Sequence, residues 1–262
     1  MRPSRQLPWR PVTTSSSERV GQGFGIDIGG SGMKAAVVDL ATGDLVTERY
    51  RIDTPQPATP DAMAEVVVEL ARHHGWGGNV GCAVPAVVRN GVVRSAANID
   101  ESWLDVNADE VFGDALGLGV HMINDADAAG LAEVRYGVAA GRGGVVIMLT
   151  FGTGIGSGLF IDGVLVPNTE LGHLELDGRD AEKRAAASVR KREGLSWSEW
   201  AIRVERYLRH LETLFSPDLF VVGGGASKQP GRWLDEISID TEIAVASLAN
   251  DAGIVGAALI AP

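Results

Sequence analysis

FGIDIGGSGMKAAVVDLATGDLVTERYRI, residues 24–52, is the stretch on which the fold turns. FGIDI (24–28) reads as a short buried strand, apolar, partly β-branched and closed by glycines. Gly30-x-Gly32-x-x-Ala35, with Asp53 further on, meets the dinucleotide-binding fingerprint in letter. That fingerprint needs a helix directly after its glycines. MKAAVVDL (33–40) and DLVTERYRI (44–52) read instead as two strands joined by a turn at 41–43, so a hairpin is expected and a Rossmann unit is not. There is no G-x-x-x-x-G-K-[ST] loop either. Glycine lets backbone N–H groups come close to phosphate oxygens. Gly29, Gly30, Ser31 and Gly32, with Lys34 beyond, are therefore candidate donor-binding residues. A glycine hairpin that holds no ligand is the plain alternative.

The strand-then-glycine unit recurs twice. VVIMLTFG (145–152) runs into Thr153, Gly154, Ile155, Gly156, Ser157 and Gly158, with glycine at alternate positions, a pattern few structural needs explain. DLFVVGGG (218–225) ends in Gly223, Gly224 and Gly225, which fit phosphate binding or close strand–helix packing. Between these units, helices are expected from about Asp61, over 126–137, over 196–215 and over 251–261. Strand signals fall at 79–88, 119–125 and 157–166, with hairpin turns at Asn90-Gly91 and Asp162-Gly163. The alternation predicts an α/β protein of two halves about a central cleft. No internal sequence repeat is strong enough to prove duplication.

The 262 residues allow one large domain or two small ones. Glycine, at 34 residues, is nearly twice its usual share of about 7%. Net charge is −11, which argues against nucleic acid or an anionic membrane as a general partner. The N-terminal 22 residues run the other way, with Arg2, Arg5, Arg10 and Arg19 against Glu18, and are broken by Pro3, Pro8 and Pro11. They lack an apolar signal region and read as a flexible tail, so a cytoplasmic location is expected. The single cysteine, Cys82 in VGCAV, excludes an internal disulfide and a multi-cysteine zinc site and reads as a buried small hydrophobe.

Two acidic groupings stand out. Asn124-Asp125 lies where a strand meets a helix, a place for a catalytic carboxylate and equally for a helix cap. Asp127 is a second cap candidate, which would leave Asp125 for chemistry. Glu170, His173 and Glu175 crowd into six residues and suit the hydroxyls of a sugar better than a closed zinc shell; a purely structural His is the alternative.

DIGGSGMK (27–34), VPAVVRNGVVRSAANIDESW (84–103), NDADAAGLAE (124–133), LTFGTGIGSGLFIDG (149–163), ELGHLE (170–175), VVGGGAS (221–227) and NDAGIVGAALIA (250–261) resemble the ROK sugar kinases. The likeness is greatest to the polyphosphate-using bacterial glucokinase branch. It runs in order from about residue 23 to the end. It implies an actin/hexokinase-like, ribonuclease H-like fold: a first α/β domain over 23–124 joined by the C-terminal helix 250–262, and a second over 125–249, following the 1–22 tail. It implies that Asp125 is the base, that Asn98, Asn124, Asp125, Glu170, His173 and Glu182 contact the sugar, and that Asp27 holds Mg²⁺ through water. The donor phosphates would meet Gly29–Gly32, Lys34, Thr153, Gly154 and Gly156, with Gly223–Gly225 where relatives hold nucleotide. Glucose would be the acceptor, polyphosphate or ATP the donor, and a homodimer the assembly.

Most ROK members follow this Glu-x-Gly-His motif with a cysteine-rich zinc cluster. DGRDAEKRAAASVRKREGLSWSEW (177–200) replaces it here, so no zinc is expected, and the replacement fits the polyphosphate-using branch. Ala86 also stands where many relatives carry glycine. Lys183, Arg184, Arg190, Lys191 and Arg192 put five cations in ten residues without an acid, a candidate polyphosphate patch or else a solvated helix face. An ATP-dependent hexokinase acting on glucose and mannose is the alternative enzyme. A non-catalytic sugar-sensing regulator is the alternative from another class.

Overall fold

The computed structural model describes residues 20–96 and 99–261. β1 (Gln22–Ile28) and β2 (Met33–Asp39) form the expected hairpin, in a register that sets Asp27 opposite Lys34. β3 (Tyr50–Ile52) follows on β2 and is shorter than the strand expected over 44–52. The reason is local. Leu45 makes only an isolated bridge to Val38, and the Thr47 hydroxyl, not a ladder carbonyl, accepts the Val37 N–H at 3.0 Å. Thr59 then caps α1 (Pro60–His73), whose first residue is a proline, placed where its missing N–H costs nothing. β4 (Val80–Val84) pairs parallel with β1. β5 (Val88–Arg89) and β6 (Val92–Val93) turn at Asn90-Gly91, both left-handed. α2 (Ala108–Leu116) and β7 (Val120–Asn124) complete a sheet of order β3-β2-β1-β4-β7.

α3 (Asp125–Tyr136) leads into β8 (Val145–Phe151), β9 (Ile155–Ile161) and β10 (Val164–Val166), with the β9–β10 turn at Asp162-Gly163. A miniature hairpin, β11 (Glu175–Leu176) and β12 (Arg179–Asp180), precedes the short α4 (Glu182–Ala185) and α5 (Ala187–Arg192). α6 (Trp197–Phe215) starts at a reciprocal Ser196–Glu199 capping box. β13 (Leu219–Gly223) and β14 (Glu242–Val245) close a second sheet of order β10-β9-β8-β13-β14, and α7 (Ala252–Leu259) ends the described chain.

The two sheets have the same plan. Each opens with an antiparallel meander whose innermost strand then pairs parallel with a later strand, β1 with β4 and β8 with β13. Contacts divide the chain into two units, one of residues through Ile123 with those from Ala257 on, the other Asn124–Gly256. Phe24, Ile26, Met63, Val67, Leu70, Cys82 and Phe112 lie in the first core; Leu149, Phe151, Trp200, Tyr207, Phe220 and Trp233 in the second. α7 belongs partly to each. A Cβ at Gly81 would lie 1.8 Å from the Ala257 carbonyl oxygen, and one at Gly256 would lie 1.8 Å from that of Ala128, so only glycine permits these approaches. Among the described residues, no helix is long and apolar enough to cross a membrane.

Candidate active site

In the first unit, the candidate residues lie at the β1–β2 turn. Gly29 N–H donates to the Gly32 carbonyl at 3.0 Å, which folds residues 29–32 into a tight loop. Thr54 Oγ1 donates to the Gly29 carbonyl at 2.5 Å and Arg51 Nη2 to the Ser31 carbonyl at 2.7 Å, so two side chains grip the loop from outside. Asp53, the acidic residue of the rejected fingerprint, pairs with Arg51 at 2.6 Å. Asp27, at the end of β1, meets the Lys34 ammonium at 3.3 Å, with both side chains partly open to solvent. Asn98 lies outside the described residues.

In the second unit, the cap question at the head of α3 is settled. Asn124 is the cap: its Oδ1 accepts the N–H groups of Ala126 at 2.9 Å and Asp127 at 3.1 Å. Asp127, the second cap candidate, is not a cap, because its side chain turns inward. It is almost wholly buried, and its Oδ2 accepts the Asn168 N–H at 2.7 Å. Its Oδ1 has no hydrogen-bond partner among the described residues. Burial, with the neighbouring Glu170 charge, pushes its carboxyl up to about 7 against the pull of the Asn168 amide. Asp125 occupies the first helical position, half-buried, with Oδ1 2.8 Å from the Ala126 N–H.

Glu170 and His173 stand on one short segment, with the His173 ring in a 3₁₀ turn over 171–173. Buried Ser157 clamps that segment, donating to the Thr169 carbonyl and accepting the Leu171 N–H at 2.9 Å. Burial raises the Glu170 carboxyl above its ordinary range. His173 Nδ1 is 3.2 Å from Asp180 Oδ2, and Nε2 is 4.0 Å from Glu170 Oε2. His173, Asp180 and Glu182 bring one ligand atom each within 4.8 Å of one another. Such a cluster can orient the hydroxyls of a polyol by accepting and donating together. Asp180 was not foreseen. Its signal was Asp177-Gly178, a two-residue turn with both φ positive, which folds β12 back beside His173.

The β8–β9 loop is tighter than its four glycines suggest. Gly152 N–H donates to the Gly154 carbonyl at 3.0 Å, and Gly156 already lies in β9 opposite Thr150. Glu182 Oε2 accepts the Ile155 N–H at 3.4 Å and lies where a Cβ on Gly154 would sit. Glu182 thus reaches both the His173 cluster and the glycine loop. α5 is fastened to the same loop by Ser188, whose N–H donates to the Gly152 carbonyl at 3.0 Å and whose hydroxyl donates to that of Thr153 at 2.6 Å. Gly223 ends β13. Gly224 has φ +79°, and a side chain there would strike the Phe151 backbone, so the third glycine loop is seated on the residue before the second.

The expected basic patch is largely paired. Lys183 meets Glu182 at 2.7 Å, Arg184 meets Asp177 at 3.1 Å and Arg192 meets Glu193 at 3.7 Å, while Arg190 lies over the Trp197 ring. Beneath them Phe151, Trp200, Trp233 and Trp197 form an edge-to-face aromatic cluster with centroids 4.9 to 6.0 Å apart. Sequence reading saw Trp197 and Trp200 only as a helix face.

Duplicated sheets of this order, each with a glycine loop after its first strand, define an actin/hexokinase-like fold of the sugar kinase class. Residues 23–187 match the profile of the ROK family. The chain belongs to that family. It is 50% identical over 238 residues to the polyphosphate glucokinase of Mycobacterium tuberculosis, covering 90% of each chain. A crystal structure of inorganic polyphosphate/ATP-glucomannokinase from Arthrobacter sp. strain KM superposes with TM-score 0.85 at 52% identity, over 91% of this chain and 97% of that one. A ROK family glucokinase from Streptomyces griseus, in complex with glucose and AMPPNP, gives TM-score 0.78 at 25% identity, over 92% and 99%.

Proposed function

We propose that this protein is a glucokinase that transfers the terminal phosphoryl group of inorganic polyphosphate to the 6-hydroxyl of glucose, giving glucose 6-phosphate, with ATP as a second donor. The observation that carries the reading is the sustained identity, about half of all residues over nine tenths of the chain, to a polyphosphate glucokinase and a polyphosphate/ATP-glucomannokinase. The second of these supports mannose as a further acceptor.

In this mechanism the sugar is held by Asn98, Asn124, Glu170, His173 and Glu182, with Asp180 orienting the His173 ring. Asp125 accepts the proton of the 6-hydroxyl as that oxygen bonds to the terminal phosphorus. The bond from phosphorus to the bridging oxygen breaks, and the donor leaves one phosphate shorter. Gly29–Gly32 with Lys34, and the loop at Thr153 and Gly154, hold the donor oxygens through N–H groups and an ammonium; Gly223–Gly225 lie where a nucleotide would extend. Asp27 would hold Mg²⁺ through water, since it offers a hard carboxylate oxygen beside the first glycine loop, with the Lys34 ammonium, 3.3 Å away, turning to the donor oxygens. Mg²⁺ would screen the charge on the terminal phosphates. The reading includes a homodimer in the cytoplasm.

Steady-state kinetics with glucose and mannose against polyphosphate, ATP and GTP in parallel test it. Turnover with glucose and polyphosphate at least as efficient as with ATP is expected. Turnover with ATP alone would make the protein an ordinary ROK hexokinase, and sugar binding without turnover would make it a sensor.

A further inference from the structure

We propose that Trp197, Arg190 and Arg232 form a second anion site, a distal grip for a phosphate chain whose end lies in the glycine loops; this rests on polyphosphate being the donor. Both guanidinium groups converge on one indole, Arg190 at 3.9 Å and Arg232 at 5.4 Å from the ring centroid. Among the described residues neither has a carboxylate partner, unlike Lys183, Arg184, Arg192 and Arg203 nearby. Arg190 Nη1 donates to the Leu195 carbonyl at 3.2 Å and Arg232 Nη1 to Gln229 Oε1 at 3.3 Å, which leaves most of their five N–H groups each for a ligand. A guanidinium resting on an indole is held by its flat side and presents its edge, the side that binds phosphate oxygens in pairs.

The scaffold ties this pair to the donor loops. Arg190 lies two residues beyond Ser188, which is bonded to the β8–β9 loop. Arg232 adjoins Trp233, which packs edge-to-face on Phe151 and donates through Nε1 to the Ala226 carbonyl just past the third glycine loop. Trp197 itself is fixed edge-to-face on Trp200. Exposed Lys191 and Lys228 add charge, and two acids close by in sequence are engaged: Glu193 by Arg203 and Arg192, Glu236 by Ser198. A nucleotide or a short oligophosphate ends within the glycine loops; a long polyanion continues and needs cations of this kind.

The test compares Arg190→Gln, Arg232→Gln and the double variant with Arg72→Gln, an exposed arginine of α1, in the full chain. Equilibrium binding of long-chain polyphosphate is measured without sugar over a range of salt, and KM is measured for long-chain polyphosphate and for tripolyphosphate. The double variant is expected to bind the long chain about tenfold more weakly and to lose about one unit of salt slope per cation removed. KM for the long chain rises in step, kcat moves less than about twofold, and tripolyphosphate KM and Arg72→Gln stay near wild type. Arg232→Lys, which keeps charge but loses the forked guanidinium, falls between. Unchanged binding and salt slope in the double variant, or an equal loss in Arg72→Gln, would overturn the grip alone. A wild-type protein that does not bind or use polyphosphate would overturn both it and the donor assignment.

Discussion

Asp125 and Asp127 are two residues apart on one helix and have opposite fates. Asp125 stands half-buried at the first helical position, with Asn124 carrying the cap. Asp125→Ala is therefore expected to bind glucose with little change and to lose about 10²–10⁴-fold in kcat, the range of a removed general base; isothermal titration beside initial rates checks both halves. Asp127 instead holds the segment that carries Glu170. Its folded pKa, near 7, lies above the unfolded value of 3.8, so between them the native state keeps a proton that the unfolded chain gives up. Its contribution to stability is thus complete below about pH 4, declines as pH rises and is gone above about pH 7. Asp127→Asn keeps an oxygen for the Asn168 amide and removes the ionisation, so its melting temperature should hold between acid and neutral pH while that of the wild type falls. Parallel slopes for the two proteins would refute this.

At the scale of elements, the turns were the most legible features. Asn90-Gly91 and Asp162-Gly163 each set a hairpin through left-handed φ, and the β1–β2 hairpin separated this fold from a Rossmann unit. Residues 44–49 looked like strand because Val46 and Thr47 are β-branched, but a side-chain hydroxyl took the bond that a ladder would have made. Asp180 escaped notice because its place depends on a turn between strands of two residues each, too short for periodicity to register. The cap was ambiguous in the sequence because Asn124 and Asp127 are both good caps; only the inward turn of Asp127 decided it. The glycines under α7 were equally silent, since close approach leaves no local pattern. Gly81→Ala and Gly256→Ala should each destabilise by about 1–3 kcal/mol or more, by forcing Cβ into a carbonyl oxygen, measurable as a lower denaturant midpoint. Ser196→Ala, which opens the α6 capping box, should cost about 1 kcal/mol.

For the whole molecule, the net charge of −11 is a bulk property, and cations gathered on one face can still offer a polyanion a local site. The duplicated strand order appeared without a sequence repeat because sheet topology needs only matching patterns of burial and turns, which many residues satisfy. Charge has a testable consequence at this scale. Because distal phosphates meet cations that are open to solvent, KM for long polyphosphate should climb with ionic strength more steeply than KM for ATP. Equal salt dependence for the two donors would contradict that.

The tryptophan cluster gives the molecule an optical property of its own. Trp197, Trp200 and Trp233 lie within 5.7 Å of one another in sequence of contact, beside the second and third glycine loops, whereas Trp76 and Trp103 are buried in the other core. Indoles this close share their excitation, so the emission of all three reports on whatever disturbs the outermost ring. A phosphate chain bound to the two guanidinium groups over Trp197 would change the charge beside that ring and so the brightness of the whole group, giving a label-free signal of donor occupancy that Trp197→Phe would silence.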